Sequence, residues 1–226
     1  MRNKVMFVLA AIAAILLARN LYMIFMVLPD EVNQGMIFRI IFFHVPAAAA
    51  AMTGSAVALI ASVLFLIKKD FFYDSLAVAV TEVGLAFLAV NLVTGSIWAR
   101  VIWGVWWAWD PRLTSALICW MLYAGYLILR QSLEEPTQRA TFAAVYSIFA
   151  FSDVPIVYFS IRWWRTLHPQ PVFFSKNGAF PSDWGRALGV NMLAMFLFYA
   201  VLTMIRLRQE QTQREIDSLR RTAHAM

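Results

Sequence analysis

Six long apolar stretches, separated by short polar connections, follow one another along the chain. They occupy residues 5–28, 40–67, 76–99, 113–129, 140–161 and 187–205. A helix needs roughly 20 residues to cross the hydrocarbon core of a bilayer, and each stretch is near or above that length. Only helices and closed barrels satisfy every backbone polar group in lipid, and these stretches are far too long for barrel strands. The pattern therefore predicts an all-α integral membrane protein, a bundle of six transmembrane helices.

The composition agrees with a membrane protein and excludes several other classes. Of the 226 residues, 62% are hydrophobic and only 14% are charged, whereas about a quarter of the residues of soluble domains are charged. The net charge of +6 does not indicate nucleic-acid binding, because the charges lie in the connections and tails between apolar stretches. The single cysteine, Cys119, excludes a disulfide framework and a cysteine-based metal site. No phosphate-binding Gly-x-x-x-x-Gly-Lys-[Ser/Thr] motif occurs, so any ATP-driven step is assigned to another chain.

The positions of Lys and Arg predict the orientation in the membrane. With the N-terminus in the cytoplasm, eleven of them fall on the cytoplasmic side and seven on the outer side, and both termini are inside. The outer connections, 29–39, 98–114 and 162–186, are the longer ones, so we expect the working face to be external. We predict one six-helix membrane domain over 1–226, with an external Trp-rich loop at 98–114 and a charged cytoplasmic tail at 206–226.

The connection at 98–114 is unusually rich in tryptophan. An aromatic belt at the lipid boundary explains one or two Trp at a helix end, but not five of the nine in the chain, grouped around Gly104 with Arg100, Asp110 and Arg112. A flat surface of rings edged by Arg suits a large, planar, anionic and apolar ligand. The five are Trp98, Trp103, Trp106, Trp107 and Trp109.

Two of the three histidines fall at the same external boundary as these tryptophans. His44 is at the outer end of the second stretch, His168 lies just past the outer end of the fifth, and His224 is in the cytoplasmic tail. Each alone is typical of a hydrogen-bonded residue at a helix end. Two facing imidazoles, however, are a common way to hold haem iron, and two His without Cys or an acidic cluster are too few for a structural zinc site. Jointly they favour metal ligation by His44 and His168.

A haem ligand would also account for the surrounding residue types. Aromatic rings would cover the porphyrin, and Arg side chains would pair with its propionates. Asp110 has three interpretations: an ion pair with Arg112, a contact to a Trp N–H, or a cap of the helix that begins near Pro111, and structural support is favoured over direct ligand contact. The predicted cofactor-binding residues are Trp103, Gly104, Trp106, Trp107, Trp109, Asp110, Arg112, Arg39, Arg100, Arg162 and Arg165.

The segment Trp103-Gly104-Val105-Trp106-Trp107-Ala108-Trp109-Asp110, followed by Arg112-Leu113-Thr114, resembles the tryptophan-rich signature of haem-handling membrane proteins. Val93-Thr94-Gly95-Ser96, Arg39 to Ala48 and Trp163 to His168 match as well. Over about 34–205 the chain resembles the CcmC family, haem exporter protein C of cytochrome c maturation.

The resemblance implies a delivery protein rather than an enzyme in the usual sense. It implies haem b on the external face, with His44 and His168 as axial ligands and the Trp motif as platform. The haem would be presented to the periplasmic chaperone CcmE, to which it becomes covalently attached. The other implied partners are CcmA, CcmB and CcmD of an ABC-type complex, with CcmA as the ATPase, in the bacterial inner membrane.

Two other functions remain as alternatives. An electron-carrying b-type subunit also uses two His, but such subunits usually bury haem between helices within the bilayer. A solute transporter with an aromatic vestibule predicts paired polar residues near mid-membrane or repeated broken helices. Among the intramembrane polar residues, which are Arg19, Glu82, Asn91 and Asp153, structural pairing is favoured over a proton path, and Asp153 with Pro155 predicts a kink.

Overall fold

The structure, a computed structural model, describes residues 2–169 and 182–224, which form seven α-helices. Residue 1, residues 170–181 of the predicted external connection, including Lys176, and residues 225–226 lie outside this description. Six segments are long and apolar enough to cross a membrane, since α5 and α6 together form one of them. The predicted six-helix membrane fold is confirmed. The helices are α1 (Arg2–Tyr22), α2 (Ile41–Lys68), α3 (Phe71–Trp103), α4 (Pro111–Gln131), α5 (Pro136–Phe151), α6 (Asp153–Trp163) and α7 (Ser182–His224).

Helix α3 continues further than the apolar stretch 76–99 predicts. It begins at Asp70, whose side chain accepts a hydrogen bond from the Phe72 amide at 2.8 Å. It ends where Gly104 takes a left-handed φ of 75°, a conformation that glycine adopts without a steric penalty. The first part of the predicted Trp-rich loop is therefore helical, and only residues 104–110 connect α3 to α4.

The fifth apolar stretch is divided into α5 and α6 at Ser152. Pro155 has no amide hydrogen, so the carbonyl of Phe151, four residues earlier, loses its helical hydrogen bond. The kink predicted from Asp153 and Pro155 is confirmed.

Helix α2 is at the centre of the bundle and packs against α3, α5 and α7. Small side chains along its buried face allow neighbouring helices to approach closely. The Tyr199 hydroxyl of α7 donates to the Val80 carbonyl of α3 at 2.6 Å and lies where a Cβ on Gly54 of α2 would be placed. Only glycine fits at residue 54. The small buried residues of α2 are Ala47, Ala50, Ala51, Gly54, Ala58 and Ala61.

A network of ion pairs joins α7 to α3 and α4 at the opposite end from His44. The buried Asp74 accepts two hydrogen bonds from Arg130, at 2.6 and 3.0 Å, and a third from Arg214. Further along α3, towards the middle of the bundle, Glu82 pairs with Arg206 at 3.0 Å. The prediction of structural pairing is confirmed for Glu82.

Candidate functional site

The fold brings His44 and His168 together. His44 lies in the first turn of α2, and His168 lies in the segment that follows α6. Their ring centroids are 6.5 Å apart and their planes differ by 30°. Two imidazoles that hold one metal ion between them, through nitrogens at about 2 Å, have centroids roughly 6 Å apart. The observed separation has the size that a shared metal requires.

Residues on one face of α3 contact the His44 ring. Its Nδ1 lies 3.0 Å from the Thr94 hydroxyl, and its Nε2 lies 3.1 Å from the Asn91 side-chain nitrogen. A Cβ on Gly95 would be 2.9 Å from His44 Cε1, so the absence of a side chain there makes room for the ring. The Trp98 ring contacts the imidazole edge-on at 5.9 Å.

From the sequence, Trp98 was counted in the Trp-rich stretch, but Asn91, Thr94 and Gly95 were given no role in the site. Asn91 was noted only as an intramembrane polar residue. The signal that finds them is helical spacing, because positions 91, 94, 95 and 98 follow the i, i+3, i+4, i+7 pattern of one helix face. The contact with His44, 47 residues away from Asn91 in sequence, is visible only in the fold.

The His168 imidazole has a defined tautomer. Its Nδ1 is 2.8 Å from the Pro169 carbonyl oxygen, which can only accept a hydrogen bond. Nδ1 therefore carries the proton and the lone pair is on Nε2. Burial, and then the nearby Arg112 guanidinium, lower the pKa of His168. The ring is thus neutral near pH 7, which is the form that binds a metal.

Asp110 joins the His168 segment to the start of α4. One carboxylate oxygen accepts from the Leu113 amide at 2.8 Å, which is the helix cap that the sequence predicted. The other oxygen accepts from the Leu167 amide at 3.0 Å and from the Thr166 hydroxyl. The Thr166 oxygen in turn accepts from the backbone amide of His168 at 3.0 Å. Asp110 therefore positions His168 through the backbone.

Arg112 and Arg39 differ in their relation to the two histidines. Arg112 lies beside His168 and donates to the Val157 carbonyl of α6. Arg39 is buried and directed elsewhere: it donates to the Ile24 and Leu28 carbonyls, both at 2.7 Å, and to a carboxylate oxygen of the nearby Asp30. Its observed contacts attach the turn before α2 to the end of the first span.

The other three predicted arginines are exposed at this end of the bundle. Arg100 donates to the Gly104 carbonyl and lies 6.0 Å from the Trp106 ring centroid. Arg162 lies 5.9 Å from the Phe159 ring centroid. None of Arg100, Arg162 and Arg165 forms an ion pair with a carboxylate in residues 2–169 and 182–224. Their charges are available to an anionic ligand.

The tryptophans of the motif form an aromatic shelf, defined here as Trp103, Trp106, Trp107 and Trp109. Trp106 and Trp109 are 60% and 78% exposed, whereas the other two are half-buried. Ser96 of α3 donates to the Trp106 carbonyl at 2.7 Å and holds the segment against the helix. The rings of Trp107 and Trp109 meet edge to face at 5.9 Å. The shelf exposes a large aromatic surface, and the Arg100 guanidinium lies 6.0 Å from its Trp106 ring centroid.

Within the described part of the chain, no group of three or more His, Cys, Asp and Glu could hold a metal ion. The two histidines are therefore the best candidate metal ligands. The indole N–H of Trp107 is buried without an acceptor among the described residues. These residue types, neutral imidazoles, aromatic rings, a buried donor and free guanidinium groups, fit an iron porphyrin with carboxylate side groups.

Comparison with known proteins agrees with this chemistry. The family model described as heme exporter protein C matches residues 1–222. A heme exporter protein C from Bradyrhizobium diazoefficiens is 36% identical over 212 residues, covering 93% of this chain and 80% of that relative. One from Paracoccus denitrificans is 32% identical and covers 84% and 80% of the two chains.

A relative from Marchantia polymorpha extends the comparison to organelles. It is named a putative cytochrome c biosynthesis ccmC-like mitochondrial protein, is 34% identical, and covers 82% of this chain and 75% of its own length. The family match over nearly the whole chain, together with the six spans and the paired histidines, leads to one conclusion: this multi-pass membrane protein belongs to the heme exporter protein C family.

Proposed function

We propose that this protein binds haem b at the outer end of the bundle and presents it to a haem chaperone during cytochrome c maturation. The observation that carries the proposal is the close approach of His44 and His168, whose ring centroids are 6.5 Å apart. Bound haem would supply an iron with two axial positions and two propionate groups. The chain contains no Cys-x-x-Cys-His motif, so the haem would be held without a covalent bond to this protein.

The surrounding residues would orient and expose the haem rather than enclose it. The aromatic shelf would contact one porphyrin face, and Arg100, Arg162 and Arg165 would pair with the propionates. Because Trp106 and Trp109 are largely exposed, a bound porphyrin would keep one edge accessible to a partner. Positioning of the haem for attack would be the chemical contribution of this chain.

The location and partners follow from charge distribution and family. The excess of Lys and Arg in the inner connections and tail supports cytoplasmic termini and a haem site on the opposite, periplasmic face. The bacterial relatives support a location in the bacterial inner membrane. The proposed recipient is the chaperone CcmE. CcmA, CcmB and CcmD are the proposed further partners in an ABC-type complex, in which CcmA would provide the ATPase motif that this sequence lacks.

The absorption spectrum of detergent-purified protein tests haem binding. For the wild type, oxidised and reduced, we expect the low-spin spectrum of iron with two His ligands, and we expect its loss in His44→Ala and His168→Ala. His224→Ala, in the third histidine, is the matched control and should leave the spectrum unchanged. An unaltered spectrum in both site variants would exclude axial ligation by these residues.

Cysteine labelling tests the orientation. Cys119, which is buried in α4, is the single cysteine of the sequence, so Cys119→Ala provides a cysteine-free background. On this background, Val32→Cys, at a residue that is 95% exposed in the connection before α2, should react with a membrane-impermeant maleimide in intact spheroplasts. Ser218→Cys, exposed on α7, should react only after the membrane is opened. The reverse pattern would place the haem site in the cytoplasm.

A further inference from the structure

Both ring nitrogens of His44 take part in hydrogen bonds with α3. Nδ1 is 3.0 Å from Thr94 Oγ1, and Nε2 is 3.1 Å from Asn91 Nδ2. A neutral imidazole has one N–H and one lone pair, so only one of these nitrogens can accept. The identity of the acceptor decides which nitrogen can bind a metal.

The orientation of the Asn91 amide is fixed by a second contact. Its side-chain nitrogen is also 3.1 Å from the backbone carbonyl oxygen of His44. A carbonyl oxygen only accepts, so the amide NH₂, and not the amide oxygen, must face His44. One hydrogen of this NH₂ goes to the carbonyl and the other goes to Nε2. The lone pair of His44 is therefore on Nε2, and it accepts from Asn91.

Thr94 completes the assignment independently. Its hydroxyl oxygen is 2.7 Å from the Val90 carbonyl, to which it donates its single hydrogen. The hydroxyl then accepts at its oxygen, so His44 Nδ1 carries the proton and donates to it. Thr94 and Asn91 specify the same tautomer, with Nδ1 protonated. This leaves Nε2 as the nitrogen through which His44 would bind iron.

We propose that Asn91 caps the Nε2 lone pair of His44 and competes with haem iron for it. This inference rests on the proposed function. One lone pair cannot serve the iron and the Asn91 amide at once, so ligation by His44 must displace a hydrogen bond. Asn91 keeps its contact with the His44 carbonyl and stays in place to reoccupy Nε2 when the iron leaves. His44 is thereby the weaker axial ligand, and Asn91 is a positioning residue that favours haem release.

The contacts of the two histidines differ in a way that supports this division. At His168 the defined contact is Nδ1 to the Pro169 carbonyl, which supports a metal bond at Nε2 because it fixes the ring and raises its basicity. At His44 the Thr94 contact is the equivalent support, and the Asn91 contact opposes it. A carrier that must pass on its haem needs one ligand that can be exchanged.

The first experiment uses the protein without added haem. We expect ¹⁵N NMR of ¹⁵N-histidine-labelled protein, with His168→Ala and His224→Ala to isolate the signal, to show His44 protonated on Nδ1 and unprotonated on Nε2. In Asn91→Leu the Nε2 resonance should move to the frequency of a lone pair without a donor. Protonation on Nε2 in the parent protein would overturn the inference.

The second experiment measures the rate of haem transfer to excess apomyoglobin. Asn91→Leu removes the competitor at nearly constant volume, and haem loss should slow by about fivefold, the factor that corresponds to one typical hydrogen bond. Thr94→Val removes the support at Nδ1, and haem loss should accelerate by about tenfold. Thr94→Ser, which keeps the hydroxyl, is the matched control and should behave like the wild type.

The opposite signs distinguish competition from simple structural support. If Asn91→Leu and Thr94→Val both accelerate haem loss, Asn91 only stabilises the site and the inference is wrong. If the wild type binds haem with a spectrum that does not depend on His44, the proposed ligand set fails instead. The NMR result is independent of haem and identifies which of the two statements has failed.

Discussion

The two ends of the bundle use their charges differently. At the inner end, Arg130, Arg206 and Arg214 lie within 4 Å of Asp74, Glu82 or Glu210, in a continuous network. At the outer end, Arg100, Arg162 and Arg165 have no carboxylate partner among the described residues, and the histidines are held by neutral hydrogen-bonding groups. Paired charges join helices, whereas unpaired cations beside an aromatic surface remain available to a ligand. The difference separates the structural end of the molecule from its functional end.

The largest effect is expected from breaking the inner network. Asp74→Asn removes the nearest carboxylate from the buried Arg130 and the partly buried Arg214, which keep only Glu210, at 3.7 and 3.6 Å. Loss of one partner of a buried ion pair costs about 3–5 kcal/mol. Unfolding in mixed detergent and SDS micelles should show this loss of stability, while the fraction that remains folded keeps its haem spectrum. Asp217→Asn, in the partly exposed pair with Arg220, is the control and should change stability by less than about 0.5 kcal/mol. Equal stability of the two variants would show that the ion pairs of Asp74 do not stabilise the fold.

A smaller effect, confined to the outer end, is expected at Gly95. Gly95→Ala would place a methyl group 2.9 Å from His44 Cε1, so the ring must move and haem affinity should fall by about tenfold. Gly189→Ala, whose added methyl would meet no described atom within 4 Å, is the matched control in α7. Haem titration measures both. A Gly95→Ala protein with wild-type affinity would show that the ring position is not critical.

The next effect in size concerns the connection between α4 and the His168 segment. Asp110→Ala removes the cap of α4 and the acceptor for the Leu167 amide, at a cost of about 1 kcal/mol for the cap alone. Asp110→Asn keeps one carbonyl oxygen and should be intermediate. We expect the reduced spectrum of the Ala variant to show partial loss of low-spin iron, because His168 is less well positioned. A fully low-spin spectrum would limit Asp110 to capping.

The smallest effect is expected from the exposed cations. Arg165→Gln should weaken haem binding by less than about threefold, because exposed ion pairs contribute little and are screened by salt. The matched ligand is haem dimethyl ester, which has no carboxylate and should bind the wild type and Arg165→Gln equally. If Arg165→Gln weakens the binding of haem and of its ester by the same factor, Arg165 acts through packing rather than charge.

Much of the fold could be predicted from the sequence because the lipid restricts the solutions. Six apolar stretches require six spans, and Pro155 requires a break in the fifth. Topology alone placed His44 and His168 on one face of the membrane, because His44 is at the start of the second span and His168 comes just after the fifth. These predictions depend on local patterns and on chain direction, both of which a single sequence contains.

The parts that could not be predicted depend on how the helices are rotated against one another. Asn91, Thr94 and Gly95 lie on the face of α3 that meets His44, but the sequence does not state which face of α3 meets α2. Arg39 was grouped with propionate-binding residues by its charge and location, whereas its observed partners are the Ile24 and Leu28 carbonyls. The prediction for Arg39 as a haem contact, like the ligand set as a whole, stays a prediction that the spectra above test.

The Tyr199 hydroxyl, inserted between Gly54 of α2 and Val80 of α3, has a mechanical consequence. A shift of one helix along its axis by a single residue is about 1.5 Å, and it would drive this ring into a backbone or a neighbouring side chain. Three spans are thus locked in axial register relative to one another. A signal that crosses this bundle cannot travel by sliding of α2, α3 or α7 against one another; these three helices would have to move together or rotate.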